Sequence, residues 1–245
     1  MTETLEKASF FYKIFLSLRA LIFYALISFF AITITCTSLV LVPFPFIVRY
    51  RYITAWSHIA TWTVKILCGV RYTVHGLENI PKNSACVVLC KHQSSWETFA
   101  LQVILPPQCW ILKKKFLYVP FFGWGLAMLR PIAIPHKHPK SFNFVISKGI
   151  KRIQQGLFLI VFPEGTRTPY GQKGKYARSG ALIAEKVGCD VLPVAHNAGK
   201  YWRRHGFIKY PGTIEVYIGK PIPVPPHSAD KVIQQVEAWI EDHVR

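Results

Sequence analysis

The longest apolar stretch of the chain lies near its start. From Ala20 to Val48 no residue is charged, and Arg19 and Arg49 bracket the run. About 20 apolar residues cross a bilayer core, so this stretch is long enough to enter a membrane. It is too long for the core of a signal peptide, and no small-residue cleavage pattern follows it. Pro43 and Pro45 break any helix at its far end. Beyond them, Phe46 to Leu67 mixes Trp56, Trp62 and His58 with Arg49, Arg51 and Lys65. That mixture predicts an interfacial helix, with aromatics at headgroup depth and cations reaching for water. Lys7, Lys13 and Arg19 precede the run and three cations follow it, so the flanking charge gives a span no direction. The expected arrangement is a helix pair dipping into one leaflet.

The pattern changes near Gly69. Short apolar runs then alternate with amphipathic stretches. Strands are expected near Arg71–Val74, Ala85–Cys90, Cys109–Leu112, Pro131–Ile134, Leu157–Phe162, Val191–Val194 and Thr213–Ile218. Helices are expected at Ser95–Val103, Lys140–Gln155, Ser179–Val187 and Ala229–His243, the last with Ser228 as its N-cap. Strands alternating with helices predict an α/β fold, a central mixed sheet flanked by helices. Residues 1–69 form the expected membrane-anchoring segment and 70–245 the α/β domain. There is no internal repeat and no low-complexity tract.

Charge changes the picture. The net charge is +18, yet 51% of the residues are hydrophobic, 14% are aromatic and the mean hydropathy is +0.25. A disordered basic tail lacks such aromatic content. Basic and apolar together point to an anionic membrane surface, an anionic small substrate, or both. Between Lys113 and Lys186 there are 14 Lys or Arg and two acids, Glu164 and Glu185. Lys113, Lys114 and Lys115 followed by Phe116, Tyr118 and Trp124 could imitate a nucleic-acid platform. The dense apolar run from Phe116 to Leu129 reads better as a lipid-facing surface or an acyl-chain groove, so no nucleic-acid partner is expected. The six cysteines show neither C-x-x-C spacing nor a zinc pattern with His. They read as reduced, buried and inert, and no metal is expected.

Two constellations carry chemistry. Lys91-His92-Gln93-Ser94-Ser95-Trp96-Glu97 follows an apolar strand, where α/β enzymes collect active-site loops. His92 suits a general base, and an acid that accepts its second ring proton fixes the tautomer. On a continuous helix, residues 92 and 97 would point about 140° apart. If His92 lies in a loop ahead of the helix, Glu97 can reach back. No G-x-S-x-G elbow supports Ser94, Ser95 or Cys90 as a nucleophile. The second constellation, Phe162-Pro163-Glu164-Gly165-Thr166-Arg167, also follows a strand, and its Arg167 suits bidentate phosphate recognition.

With these motifs the chain resembles the glycerolipid acyltransferases, specifically the bacterial 1-acyl-sn-glycerol-3-phosphate O-acyltransferases. His92 and Glu97 match the His-x4-Asp block, with Glu for Asp. FPEGTR stands unchanged at 162–167. Val119-Pro120-Phe121-Phe122-Gly123-Trp124-Gly125 resembles IPFFGWG, and Val191-Leu192-Pro193-Val194 resembles the last block. One block departs: Pro135 and His136 stand where an Asp-Arg pair is usual, and Arg130 or Lys137 is left to supply the cation. The resemblance covers roughly residues 70–220.

It implies fatty acyl transfer from a thioester to the sn-2 hydroxyl of lysophosphatidic acid, giving phosphatidic acid. His92 would be the base, oriented by Glu97. Arg167 would hold the phosphate, with Lys114 and Arg130 as further candidates. Glu164 would meet the glycerol hydroxyl region, within a block that includes Gly165 and Thr166. No cofactor is implied beyond acyl-CoA or acyl carrier protein as donor substrate. The implied setting is a bacterial inner membrane, with the site facing the cytoplasm and membrane lipids as partners. A relative acylating another lyso-lipid would carry the same blocks. A non-catalytic basic membrane-binding protein would leave their spacing a coincidence.

Overall fold

The computed structural model describes residues 9–134 and 141–244. Helix α1 spans Phe10–Ser38 and α2 spans Phe46–Cys68. The break falls at the prolines, after a short 3-10 turn at Leu39–Leu41. Helix α1 begins well before the charge-free run, because Lys13 and Arg19 sit on it without interrupting it. Helix α2 stops at Gly69, whose φ of 69° is the left-handed turn that closes helices. The stretch Phe10–Leu41 is long and apolar enough to cross a membrane, and 22% of its most apolar window is buried. Phe11, Phe15, Leu18, Leu21, Ile22 and Phe29 are exposed. This apolar surface suggests membrane association.

Among the described residues seven strands follow: β1 Val70–His75, β2 Val87–Cys90, β3 Gln108–Lys113, β4 Ile132–Ile134, β5 Phe158–Val161, β6 Val191–His196 and β7 Gly212–Ile218. They form one sheet in the order β1-β7-β6-β2-β5-β3-β4. Only β6 and β7 pair antiparallel; the other pairs are parallel. Strands β2 and β5 are short and buried throughout, as central parallel strands must be when both faces are covered.

The helices are α3 Glu97–Ile104, α4 Phe122–Met128, α5 Ser141–Gln154, α6 Ser179–Val187 and α7 Ala229–His243. Alternation along β2 builds two cores. Val88 and Cys90 join Phe99, Ala60, Val64 and Phe23 on the face covered by α1, α2 and α3. Val87 and Leu89 join Val145, Ile183 and Val236 on the face covered by α5, α6 and α7. The N-terminal hairpin therefore shares a core with the sheet. Trp56 donates its indole N–H to the Ile27 carbonyl, and Phe23 meets Trp202 edge-on at 5.4 Å. Lys209 lies buried beside this contact, its ammonium 4.0 Å from the Tyr24 ring and 4.4 Å from the Trp202 ring. Burial pushes that ammonium down to about 8.

Two expectations need correction. Helix α4, absent from the expected helices, lies inside the apolar run Phe116–Leu129. Its glycines permit close packing: a Cβ on Gly123 would stand 2.3 Å from the Leu117 carbonyl oxygen, and one on Gly125 would stand 2.8 Å from the Thr35 hydroxyl of α1. Ser228 makes no side-chain cap on α7; its hydroxyl bonds back to the Pro225 carbonyl. Glu185 of α6 accepts instead from the Ser228 and Ala229 amides, supplying the anion that a helix start favours.

Candidate active site

Because β2, β3, β4, β5 and β6 run parallel, their carboxyl ends share one edge of the sheet. The His92 loop follows β2 there, and the Phe162–Arg167 turn follows β5. Helix α3 begins at Glu97, so His92 stands ahead of it. Neither Ser94 nor Ser95 is the N-cap. Ser94 accepts from the Trp96 amide instead, tightening the turn.

The reach-back is direct. His92 Nδ1 lies 2.8 Å from Glu97 Oε1. The same oxygen accepts from the amides of Gln93 at 3.1 Å and Ser94 at 2.9 Å, and Oε2 accepts from Ser94 at 3.0 Å. The Glu97 side chain is fully buried. Burial alone would raise its pKa, but the His92 hydrogen bond, His196, and the Ser94 amide outweigh it and hold the carboxyl below its ordinary value. Glu97 is therefore an anion at neutral pH, fixing the imidazole proton on Nδ1 and leaving Nε2 basic. The imidazole stacks on Phe162 at 3.9 Å with planes 13° apart. The His92 carbonyl accepts from the Thr168 amide at 2.8 Å, so ring and backbone are both restrained.

Glu164 differs from expectation. Its Oε2 accepts from the His92 amide at 2.8 Å. Its Oε1 meets Lys91 Nζ and the Thr168 hydroxyl, each at 2.8 Å. The side chain is fully buried, so both oxygens are committed to protein and neither is left for a glycerol hydroxyl.

Gly165 adopts φ 66°, a left-handed turn that glycine makes without steric cost. Gly165 and Thr166 are exposed. Arg167 is half-buried; its Nε is enclosed without a hydrogen-bond partner among the described residues, and its carbonyl accepts from Arg204 at 2.7 Å. An enclosed guanidinium N–H lacking an acceptor suits an anionic ligand.

The other two cations separate. Lys114 is exposed and directly follows β3, on the same edge as His92. Arg130 precedes β4 and so belongs to the opposite end of these parallel strands. Its guanidinium lies 4.9 Å from the Phe46 ring of α2. Arg130 is thus not brought to His92, contrary to expectation. Pro135, His136 and Lys137 lie outside the described residues.

Three buried residues escaped the sequence reading. Lys91 is fully buried against Glu164. Gln93 accepts from the Gly199 amide, tying the His92 loop to the one after β6. His196 accepts from the Ala198 amide on Nδ1, which leaves Nε2–H to donate to the Lys91 carbonyl at 2.9 Å. Burial lowers the proton affinity of His196, consistent with that neutral ring. The sequence marked Lys91 and Gln93 only by their place beside His92; the burial that obliges Lys91 to find partners shows only in the structure.

A loop histidine backed by a buried carboxylate, at the carboxyl ends of the strands of an α/β sheet, is a constellation suited to general-base chemistry. The acyltransferase family model matches residues 71–197, and the chain belongs to that family. It is 43% identical over 232 residues to a Pseudomonas aeruginosa protein named 1-acyl-sn-glycerol-3-phosphate acyltransferase, covering 92% of this chain and 90% of the relative. A Helicobacter pylori protein of the same name is 31% identical over 131 residues, or 52% of this chain and 55% of the relative. The crystal structure of the 1-acyl-sn-glycerophosphate (LPA) acyltransferase PlsC from Thermotoga maritima matches with a TM-score of 0.80 at 23% identity, covering 95% of each chain. That likeness carries the fold.

Proposed function

We propose that the protein transfers a fatty acyl group from a thioester to the sn-2 hydroxyl of 1-acyl-sn-glycerol 3-phosphate, forming phosphatidic acid. The observation that carries this reading is the 2.8 Å contact between His92 Nδ1 and the buried Glu97 carboxylate. An alcohol is a poor nucleophile until a base takes its proton. His92 Nε2 takes it as the oxygen attacks the thioester carbonyl. The tetrahedral intermediate then expels the thiolate, which receives the proton back from the imidazolium. Glu97 stabilises that cation. General base catalysis of this kind contributes about 10²–10⁴-fold.

Arg167 holds the acceptor's phosphate, and Lys114 adds positive charge from the end of β3, two strands and roughly 10 Å from the β2 end that carries His92. Gly165 and Thr166 shape the turn that presents Arg167. Glu164 positions the His92 loop. The donor is acyl-CoA or acyl carrier protein, and the thioester is activated enough that this chemistry asks for no further cofactor.

Purified protein in mixed micelles, given lysophosphatidic acid and either labelled donor, should form labelled phosphatidic acid. Transfer to lysophosphatidylcholine or a lyso-amino-acid lipid, but not to lysophosphatidic acid, would replace the acceptor. Tight liposome binding without transfer from either donor would favour a non-catalytic membrane protein.

We also propose that residues 1–69 anchor the chain in one leaflet of a bacterial inner membrane, with residues 70–245 carrying the chemistry on the cytoplasmic side. Acyl donors are cytoplasmic, and the hairpin shares its core with the sheet. Tyr118, Phe122 and Trp124 are exposed as well, on or just ahead of α4, which packs against α1 at Gly125. High salt should leave the full chain membrane-bound. Once the native cysteines are replaced, a reporter at Ser9→Cys should react with an impermeant thiol reagent in inverted vesicles. Reaction only in right-side-out vesicles would establish a true span and reject the one-leaflet arrangement.

A further inference from the structure

The residue before the candidate base is a lysine with no solvent exposure, and the reaction as written gives it no role. Lys91 Nζ lies 2.8 Å from Glu164 and 2.6 Å from Glu241 of α7. A third contact, 3.4 Å, reaches the Gln172 carbonyl, so every ammonium N–H has a partner. The Lys91 main chain is pinned as well: its amide donates to the Val194 carbonyl, and its own carbonyl accepts from His196.

On the far side, Glu241 accepts from the Tyr176 hydroxyl at 2.8 Å. On the near side, Glu164 accepts from the His92 amide. The contacts therefore run without a gap from the last turns of α7 to the main chain of the His92 loop. Two carboxylates brought this close would repel each other, and the ammonium between them offsets that repulsion. A charged Glu164 is the stronger acceptor for the His92 amide.

We propose that Lys91 and Glu241 are positioning residues for acyl transfer: through Glu164 they hold the His92 loop at the height where its imidazole meets the acceptor hydroxyl. They touch no substrate. The C-terminal helix thereby becomes part of the active-site machinery, although it lies beyond the matched family segment, which ends at residue 197. The proposal rests on the acyl-transfer reading above.

The test uses the full-length chain with lysophosphatidic acid and the better of the two donors. If the wild-type protein transfers nothing, the parent reading fails and the variants are not at issue. If it does transfer, Lys91→Met should lower kcat about 10–100-fold with KM for both substrates unchanged, because a shift of about 1 Å in a catalytic group costs on the order of 10²-fold. Lys91→Arg, which keeps the charge, should restore most of the rate. Glu241 is partly exposed, so Glu241→Gln is expected to fold even if Lys91→Met does not. It should cost roughly 3–10-fold in kcat, on the same argument of displacement. Added to Lys91→Met, it should cost nothing further, because the two act in series. Rates are taken per folded protein, from the monodisperse fraction. Wild-type kcat in folded Glu241→Gln, or rate losses that multiply in the double variant, would overturn the proposal.

Discussion

His92→Ala yields a folded, membrane-bound protein that no longer makes phosphatidic acid. Removing a general base costs about 10²–10⁴ in rate, or about 3–5 kcal/mol of transition-state stabilisation. The fold survives because Glu97 keeps its bonds to the Gln93 and Ser94 amides. Glu97→Gln loses most of the rate by another route: the amide cannot stabilise an imidazolium, and it can leave the ring in the wrong tautomer. Stability carries a sign that can be checked. The folded-state pKa of Glu97 lies below its ordinary value, so its stabilising contribution is present above the unfolded carboxylate range and is lost as pH falls through the folded value. His92→Ala removes one source of that lowering. Its acid unfolding should therefore begin at a higher pH than in the wild type, as followed by circular dichroism. Near wild-type turnover in folded His92→Ala protein would reject His92 as the base.

Arg167→Ala raises KM for lysophosphatidic acid about ten- to a hundredfold and leaves KM for the acyl donor nearly unchanged. A charged hydrogen bond contributes about 1.5–3 kcal/mol, which sets that range. The enclosed Nε without an acceptor motivates the expectation. The control is a phosphate-free monoacylglycerol. If its transfer suffers equally, Arg167 supports the turn and does not bind phosphate. Lys114→Ala should shift the same constant by less, because an exposed lysine gains less from an ion contact than a half-enclosed arginine.

The strand pattern was legible because central parallel strands are buried on both faces and must be apolar throughout. Val87–Cys90 and Phe158–Val161 could hardly be read otherwise. Helix α7 was legible for the opposite reason, one apolar face and one polar face. Helix α4 was not, because its Gly-rich sequence is a poor helix former and it is held by packing against α1. Ser228 misled because a good capping residue does not reveal that a carboxylate from another helix will arrive at the same amides.

The amino-acid sequence by itself determined the sheet-forming runs, the apolar hairpin with its proline break, and the two strand-end motifs with their chemistry. Each depends on neighbours along the chain, where periodicity and turn residues act directly. Only the tertiary structure decided what the long-range contacts do. Glu164 turns inward because Lys91 is buried beside it, Arg130 is lost to the site because it precedes its strand, and His196 arrives from β6 to hold the Lys91 carbonyl. A carboxylate at residue 164 reads the same whether it faces substrate or a lysine. The pairing that decides between them, with Lys91 and through it Glu241, is set by the stacking of sheet and helix and leaves no mark in the local pattern.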